Sequence, residues 1–482
     1  MCAGSTDPCL PAGRSPRRFG GFAIIYYMKL LYIGAGFVGT CSAAVSASSG
    51  HEVLVYDIDE NKINMLSSGD RDQIEACLFE EGLSDLLIRN KERIEFTIDY
   101  NKVSEFLDNV DAIFMCLPTP EIGETGESDL KYYNAAAETL ADNLVKRNEG
   151  KQKKYLVIIN KSTVPIDMVD KTQEILEAKG VKNFGVVSNP EFLVEGKAIQ
   201  GSIKPDRIVV GAWTEQDFAI MRQVYERFYN SPQTKFIEVN PKEAAASKLL
   251  ANYMLFNKLA VCFDVVGRTC ESFENLQFEN VRNALVTDPR IGSWGLYDSL
   301  YAGGSCFIKD ARSLSHQLKQ KKQNTVLVDE VYLSNKRQLK NFLERIESSS
   351  GFENKKISIL GVAFKRDTND IRNSASIEIM NYLADKNFAE VNVYDPAAME
   401  NFKKMFPESE KVRYHNHEFE AIKNSDIIII ATDWPQFRGL ADVLMAESTN
   451  NKPLIADGRR MLQHRYDDLK GAGFKVVAVG SL

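Results

Sequence analysis

Cysteine is scarce in this chain: eight in 482 residues, scattered, with no Cys-x-x-Cys pair. That scarcity excludes a disulfide scaffold and the common zinc and redox-couple motifs, and it fits a reducing, cytoplasmic setting. Histidine is scarcer still. The five histidines (His51, His316, His415, His417 and His464) are too few and too dispersed for a His-based metal centre. Only His415 and His417 lie close together, and both read as simply exposed, so no metal site is expected. Chemistry must rest on carboxylates, lysines or a thiol. Positive charge is not in surplus either: 59 Lys and Arg against 66 Asp and Glu leave a net −7. This argues against a sequence-independent grip on nucleic acid, though a local basic pocket for a small anion stays possible. An uninterrupted membrane-length apolar run is also missing, because the stretch from Gly21 to Gly39 carries Lys29 in its middle.

What is present is ordinary globular composition, 44% apolar and 26% charged, at a length that suggests about three domains. Residues 1–27 stand apart, with three prolines and three arginines. Arg17-Arg18 before an apolar run would suit an export signal, but that run continues into the first core strand, Lys29–Ile33. Cleavage there would remove a central strand, so the segment reads as a disordered leader.

Apolar runs at Lys29–Ile33, Glu52–Tyr56, Ala112–Leu117, Tyr155–Asn160 and Gly185–Ser188 alternate with helical stretches such as Leu130–Lys146 and Met168–Lys179. Near-continuous apolar strands separated by helices indicate a parallel sheet covered on both faces. From Lys242 to Thr269 there is no proline and no glycine before Gly267, which predicts one helix of about 27 residues, roughly 40 Å long. Helical text continues to Ser348. Strand–helix alternation then restarts at Lys356–Gly361, with strands at Val391–Tyr394, Asp426–Thr432, Pro453–Ala456 and Lys475–Val479. The two ends echo each other: Tyr56-Asp57 answers Tyr394-Asp395, and Asp111-Ala112-Ile113 answers Asp426-Ile427-Ile428. The fold expected is α/β, two Rossmann-like open parallel-sheet domains joined by a central helical domain with one long helix.

Gly34-Ala35-Gly36-Phe37-Val38-Gly39 follows a strand and opens a helix, and Asp57 ends the next strand 21 residues after Gly36. In that context the glycines provide a tight turn, backbone access to a pyrophosphate and close helix–strand packing, while the helix N-terminus favours the phosphates. Asp57 would accept the ribose hydroxyls and repel a 2′-phosphate, favouring NAD over NADP. The second half lacks this fingerprint: Gly361-Val362-Ala363-Phe364-Lys365 is too bulky.

Three stretches offer chemistry. Asn189-Pro190-Glu191 to Gly196 reads as a helix start, which would set Glu191 and Glu195 on one face, as base or as surface. Lys248 and Asn252, four apart on the long helix among apolar neighbours, could form a buried polar pair or be solvated. Gly303-Gly304-Ser305-Cys306 leads into Lys309-Asp310: the glycines would give a ligand access to backbone, and a nearby cation would favour the thiolate, although most lone cysteines are inert core residues.

With these motifs, Pro118-Thr119-Pro120, Lys161-Ser162-Thr163-Val164-Pro165, Asp288-Pro289-Arg290-Ile291-Gly292, Leu360 to Lys365 and Asp457-Gly458-Arg459, the chain from Met28 to Leu482 resembles the UDP-glucose/GDP-mannose dehydrogenase family. The resemblance implies an NAD-binding domain over 28–235, a central helical domain over 236–350 and a sugar-nucleotide-binding domain over 351–482. It implies four-electron oxidation of a sugar nucleotide's C6 alcohol by two NAD⁺, through a thiohemiacetal and a thioester on Cys306. Lys248 would stabilise the oxyanion with Asn252 beside it, Glu191 would be general base, and Thr163 and Asp310 would hold water. The cofactor would meet Gly34, Gly36, Phe37, Val38, Gly39, Asp57, Lys62, Thr119, Thr163, Glu195, Lys309 and Arg372. The substrate would meet Glu191, Phe192, Leu193, Glu195, Lys248, Asn252, Arg290, Ser299, Gly303, Lys365 and Arg459. UDP-glucose is the substrate favoured; other UDP-, GDP- or TDP-sugars, a two-electron dehydrogenase and a non-catalytic nucleotide-sugar-binding relative are the alternatives. Tyr301-Ala302, Gly295 beside Trp294, and Ile166-Asp167-Met168 depart from the family pattern. Family members are dimers or larger, so a homo-oligomer is expected, with Arg290 acting across its boundary.

Overall fold

The apolar runs fold as their composition demands. Leu30 to Ile33, Ala112 to Met115 and Leu156 to Asn160 are buried on both faces, as central parallel strands must be. The computed structural model describes residues 27–148, 154–229, 233–297, 299–446 and 452–481, so all but the last residue of the expected leader lies outside the described residues. In the first sheet the strands are β1 (Lys29–Ile33), β2 (Glu52–Tyr56), β3 (Ile94–Thr97), β4 (Ala112–Met115), β5 (Leu156–Asn160), β6 (Phe184–Ser188), β7 (Arg207–Gly211) and β8 (Lys235–Val239). Their order is β3-β2-β1-β4-β5-β6-β7-β8, all neighbours being parallel except β6 and β7, which meet antiparallel at Ser188 and Gly211. The second sheet holds β9 (Lys356–Leu360), β10 (Glu390–Tyr394), β11 (Val412–Tyr414), β12 (Ile427–Ile430), β13 (Leu454–Asp457) and β14 (Val476–Ala478), ordered β11-β10-β9-β12-β13-β14 and parallel throughout. Both sheets therefore reverse strand order beside their first strand, between β1 and β4 and between β9 and β12. Ligands of doubly wound sheets bind at such a switch point, beyond the carboxyl ends of the strands.

Five helices matter for the site: α1 (Phe37–Ser48), α2 (Ala198–Ile203), α3 (Pro241–Ser272), α4 (Phe307–Gln320) and α5 (Val326–Ser350). Helix α3 starts at the proline rather than after it, because Asn240 and Glu243 form a capping box and Pro241 needs no N–H in the first turn. It widens into a π-helical turn at Cys262–Gly267 before ending at Ser272. Among the described residues it alone has the length and apolarity to cross a membrane, yet Tyr253, Phe256, Leu259 and Phe263 are buried in the core. That core runs from α3, α4 and α5 without a break into one face of the second sheet, through Ile357, Ile359, Val391 and Ile427. The first sheet has separate cores on its two faces. Its link to α3 is close: a side chain at Gly211 would strike Pro241 and Ala244.

One expected helix is absent. Residues 189–194 form no helix, because Asn189 is not a cap. Its carbonyl accepts from Lys161 (3.1 Å) and Tyr225 (2.5 Å), and its amide donates to Val209 (2.8 Å). The helix begins only at Ala198, where Glu80 takes the free amides of Gly196 (2.7 Å) and Ala198 (2.5 Å). Glu191 and Glu195 consequently do not share a helical face.

Candidate active site

At the first switch point the loop after β1 turns through Gly34, at φ +106°, where a side chain would overlap the Cys116 carbonyl. A side chain at Gly39 would overlap the Gly34 carbonyl, whereas one at Gly36 meets nothing within 4 Å. Gly36 caps α1 with no side-chain bond, so the helix N-terminus faces open space with its amides free. Asp57 accepts from the Ala35 amide (2.7 Å) and lies 3.5 Å from Lys62. This cradle fits the pyrophosphate and ribose of a dinucleotide. Thr119 and Thr163 meet on the same lip, the Thr119 hydroxyl donating to the Thr163 carbonyl at 2.8 Å. In the second sheet Asp395, which matches Asp57 in position, is consumed by protein donors: the amides of Val362 (2.7 Å) and Ala363 (3.0 Å) and the Trp434 indole (3.1 Å).

The second cluster forms where α3 crosses α4. Lys248 is only 4% exposed and its ammonium lies 3.1 Å from Glu191. Burial alone would lower its pKa. Glu191, the Cys306 thiol and Asp310 outweigh that and raise it, so the ammonium stays charged. One turn on, Asn252 donates to Asp310 at 2.6 Å, and Lys309 takes the other carboxylate oxygen at 2.7 Å. Cys306 caps α4, an exposed residue whose thiol faces into the cluster. Burial pushes the Cys306 thiol up, Asp310 and Glu191 push it further, and Lys248 and the Ser305 hydroxyl pull it only part of the way back. The expected net cation effect on this thiol is thus overturned: the cation that does lower it is Lys248, while Lys309 is tied to Asp310.

Gly303 and Gly304 also have a reason different from ligand access. A side chain at Gly303 would overlap the Asn373 carbonyl, and one at Gly304 the Phe364 ring. The Gly304 amide donates to the Arg372 carbonyl (3.0 Å) and Asn373 donates to the Gly304 carbonyl (3.1 Å). The cysteine loop is therefore clasped by the loop after β9. That loop reaches the first sheet as well: Lys365 donates to the Glu195 carbonyl, and Thr368 donates to the Glu195 carboxylate at 2.6 Å. Burial, then the Asp370 charge, raises the Glu195 pKa from 4.5 to about 7.

Other expected residues fall elsewhere. Arg372 is paired with Asp370 at 2.5 Å beside Glu195. Arg459, after β13, donates to the carbonyls of Ala431 (2.7 Å) and Phe364 (3.0 Å) at the second switch point. Phe192 is covered by the Arg207 guanidinium at 4.0 Å, with Lys248 at 5.5 Å, and the Leu193 amide donates to Glu191 at 2.5 Å. Ser299 is buried, its carbonyl accepting from Gln338 at 3.0 Å. Arg290 is not drawn in: its side chain is 88% exposed and paired with Asp288. Sequence reasoning missed Thr368 and Asn373, whose partners Glu195 and Gly304 lie 173 and 69 residues away, and Asp370, which pairs with Arg372 and acts on Glu195. It also missed Gln317, which accepts from the Ile166 amide (2.9 Å) and ties α4 to the Thr163 loop. Nothing local in the sequence marks such contacts.

A dinucleotide cradle beside a thiol, an ammonium and carboxylates, with a second doubly wound sheet closing over them, is the architecture of an oxidoreductase with a nucleotide cofactor. Comparison with known proteins specifies the class. Three models of the UDP-glucose/GDP-mannose dehydrogenase family match the chain: the NAD binding domain over residues 28–229, the central domain over 242–337 and the UDP binding domain over 358–464. The UDP-glucose 6-dehydrogenase TuaD of Bacillus subtilis is 31% identical over 457 residues, 94% of this chain and 93% of that protein. A UDP-glucose 6-dehydrogenase of Rickettsia prowazekii is 33% identical over 94% of this chain and 100% of its own length. Among solved structures, a UDP-glucose dehydrogenase from Pyrobaculum islandicum superposes with a TM-score of 0.80 at 28% identity, covering 94% and 98% of the two chains. The chain belongs to the UDP-glucose/GDP-mannose dehydrogenase family, as an NAD-dependent sugar-nucleotide dehydrogenase.

Proposed function

We propose that the chain oxidises the C6 alcohol of UDP-glucose to the carboxylate of UDP-glucuronate in two steps, with water supplying the second oxygen. The observation that carries this reading is the buried Lys248 ammonium, 3.1 Å from Glu191 and within the electrostatic reach of the Cys306 thiol. Gly34, Gly36, Gly39 and Asp57 would hold NAD, which would supply a hydride acceptor for each step. Glu191 takes the alcohol proton as general base, and the Lys248 ammonium stabilises the alkoxide that develops, an effect worth on the order of 3 kcal/mol. The Cys306 sulfur adds to the aldehyde carbon to form a thiohemiacetal, which prevents escape of the aldehyde. Oxidation of that adduct gives a thioester, and water held by Asp310 and Thr163 displaces the sulfur as thiol. Asn252 orients Asp310 for this step.

The division of labour is proposed as residues 28–235 for the cofactor, 236–350 for the helical bridge and 351–482, with Lys365 and Arg459, for the UDP group. A cytoplasmic homo-oligomer is part of the same reading. Leu250, Met254, Val261 and Val265 leave an apolar stripe exposed on α3, and Arg290 would reach a neighbouring subunit's substrate. Spectrophotometry over a panel of UDP-, GDP- and TDP-sugars tests the function: two NADH per UDP-glucose and no free aldehyde are expected. One NADH per turnover with Cys306→Ser still active would indicate a two-electron dehydrogenase. Binding without NAD reduction would indicate a non-catalytic relative.

A further inference from the structure

Outside the thiol cluster, one other ion pair is withheld from water. Among the described residues, only Lys248–Glu191 and Arg312–Glu121 are ion pairs in which neither side chain is more than 15% exposed. Arg312 sits in the second turn of α4, the helix that Cys306 caps. Glu121 belongs to the loop after β4, two residues beyond Thr119. Their contact, Nε to Oε1 at 3.0 Å, therefore joins the thiol helix to the lip of the dinucleotide cradle.

Much of that loop is surface: Ile122, Gly123, Glu124, Thr125 and Glu127 are exposed. It folds back on itself, the Ile122 amide donating to the Glu127 carbonyl (2.8 Å) and the Asp129 amide to the Pro120 carbonyl (2.7 Å). Glu121 Oε1 accepts from the Gly126 amide at 2.5 Å as well as from Arg312. Gly126, at φ +80°, lies so close to the Arg312 carbonyl that a side chain would overlap it. Arg312 is itself held from α5, donating to the Tyr332 hydroxyl at 3.2 Å with its guanidinium over that ring at 4.8 Å. The path then closes into a ring. Thr119 donates to the Thr163 carbonyl, and the Ile166 amide of the Thr163 loop donates to Gln317, further along α4. Both sides of the lip thus hang from one helix. A shielded ion pair contributes little net stability, since desolvation offsets its Coulombic gain; its best-attested use is to fix register.

We propose that Arg312 is a positioning residue for NAD: through Glu121 and Gly126 it holds the Thr119 lip in register with α4, and so with the Cys306 thiol. The inference rests on the reading of Thr119 as a cofactor contact, and it is independent of which sugar nucleotide is oxidised. Register matters because hydride moves only between atoms held in near-attack geometry, where a shift of about 1 Å costs about a hundredfold in rate. Hanging the lip and the thiol on one helix makes that register a property of α4 rather than of how the two sheets are set.

The test is fluorescence titration of NADH into the full chain, with UDP titrated calorimetrically into the same preparations. Arg312→Gln and Glu121→Gln should each weaken NADH binding by about fivefold or more, the usual span of coupling between a remote contact and a ligand. The double variant R312Q/E121Q should bind no more weakly than R312Q, because each single change already breaks the one contact. UDP affinity should stay within about twofold. A UDP affinity that falls in step with that for NADH would show general loss of structure and overturn the inference, as would an NADH affinity that neither clamp variant changes. Thr119→Ala keeps the two readings apart, and it should weaken NADH too. If it does so while the clamp variants do not, the clamp fails and Thr119 stands as a cofactor contact. NADH affinity unmoved by Thr119→Ala defeats the route through Thr119, whatever the clamp variants do. If Arg312→Gln does not fold, Glu121→Gln decides alone.

Discussion

Replacing Glu195 with glutamine should make the protein more stable at neutral pH, not less. Glu195 joins the two sheets: its carboxylate accepts from Thr368, and its main chain accepts from Lys365. Burial and the neighbouring Asp370 raise its pKa from 4.5 to about 7. The folded chain therefore keeps a proton that the unfolded chain gives up over this interval. A raised folded-state pKa adds stability that is fully present below the unfolded value and is lost as pH climbs to the folded value. At 1.36 kcal/mol per pH unit the rise corresponds to about 3 kcal/mol. Glutamine keeps an oxygen that accepts from Thr368 and carries no charge to bury. Urea denaturation of wild type and Glu195→Gln, followed through the first unfolding transition, should give matching midpoints near about pH 4.5. The variant should lead by up to about 3 kcal/mol above about pH 7. Parallel stability curves across that range, or a wild type that gains on the variant as pH rises, would refute the reasoning.

Three further outcomes are expected. Because burial, Asp310 and Glu191 hold the Cys306 thiol above its usual range, its alkylation by iodoacetamide should keep accelerating beyond about pH 8.5; peptide mass spectrometry that finds a plateau below that pH contradicts it. Lys248→Met removes the cation that lowers this thiol and strands a buried Glu191. Stability should fall by about 3–5 kcal/mol and kcat by about a hundredfold or more, measured by denaturation and NADH production. Asp57→Ala frees the Ala35 amide and removes the charge that repels a 2′-phosphate, so the ratio of kcat/KM for NAD over NADP should drop by about tenfold or more; an unchanged ratio would show that Asp57 does not face the ribose.

Most strands buried on both faces were legible, although β7 (Arg207–Gly211), which lies inside the first sheet, went unread. Leu30–Ile33, Ile113–Met115 and Ile427–Ile430 are apolar throughout and admit little else. Strands β3 (Ile94-Glu95-Phe96-Thr97), β8 and β11 escaped notice because they sit at sheet edges and carry charged residues that blur the pattern. At the site, Gly34 to Gly39 with Asp57 could be read from spacing, and Lys248 and Asn252 from a polar pair in an apolar helix. The segment from Asn189 misled because local rules for helix starts ignore long-range partners. Its asparagine is claimed by Lys161, Tyr225 and Val209, none of them nearby in sequence. The glycines before Cys306 have a further requirement that spacing does not reveal, since the atoms that exclude a side chain there belong to residues 364 and 373.

That clasp has a consequence for the newborn chain. The sulfur sits on a loop whose support arrives some sixty to seventy residues later, at Phe364 and Asn373, while Glu191 belongs to the half that is made first. A nascent chain with only its first sheet complete has the base in place and the thiol still unmounted. Until both lobes close, that thiol is free of the burial and the carboxylates that raise its pKa in the finished site, so closure lowers its reactivity toward stray electrophiles.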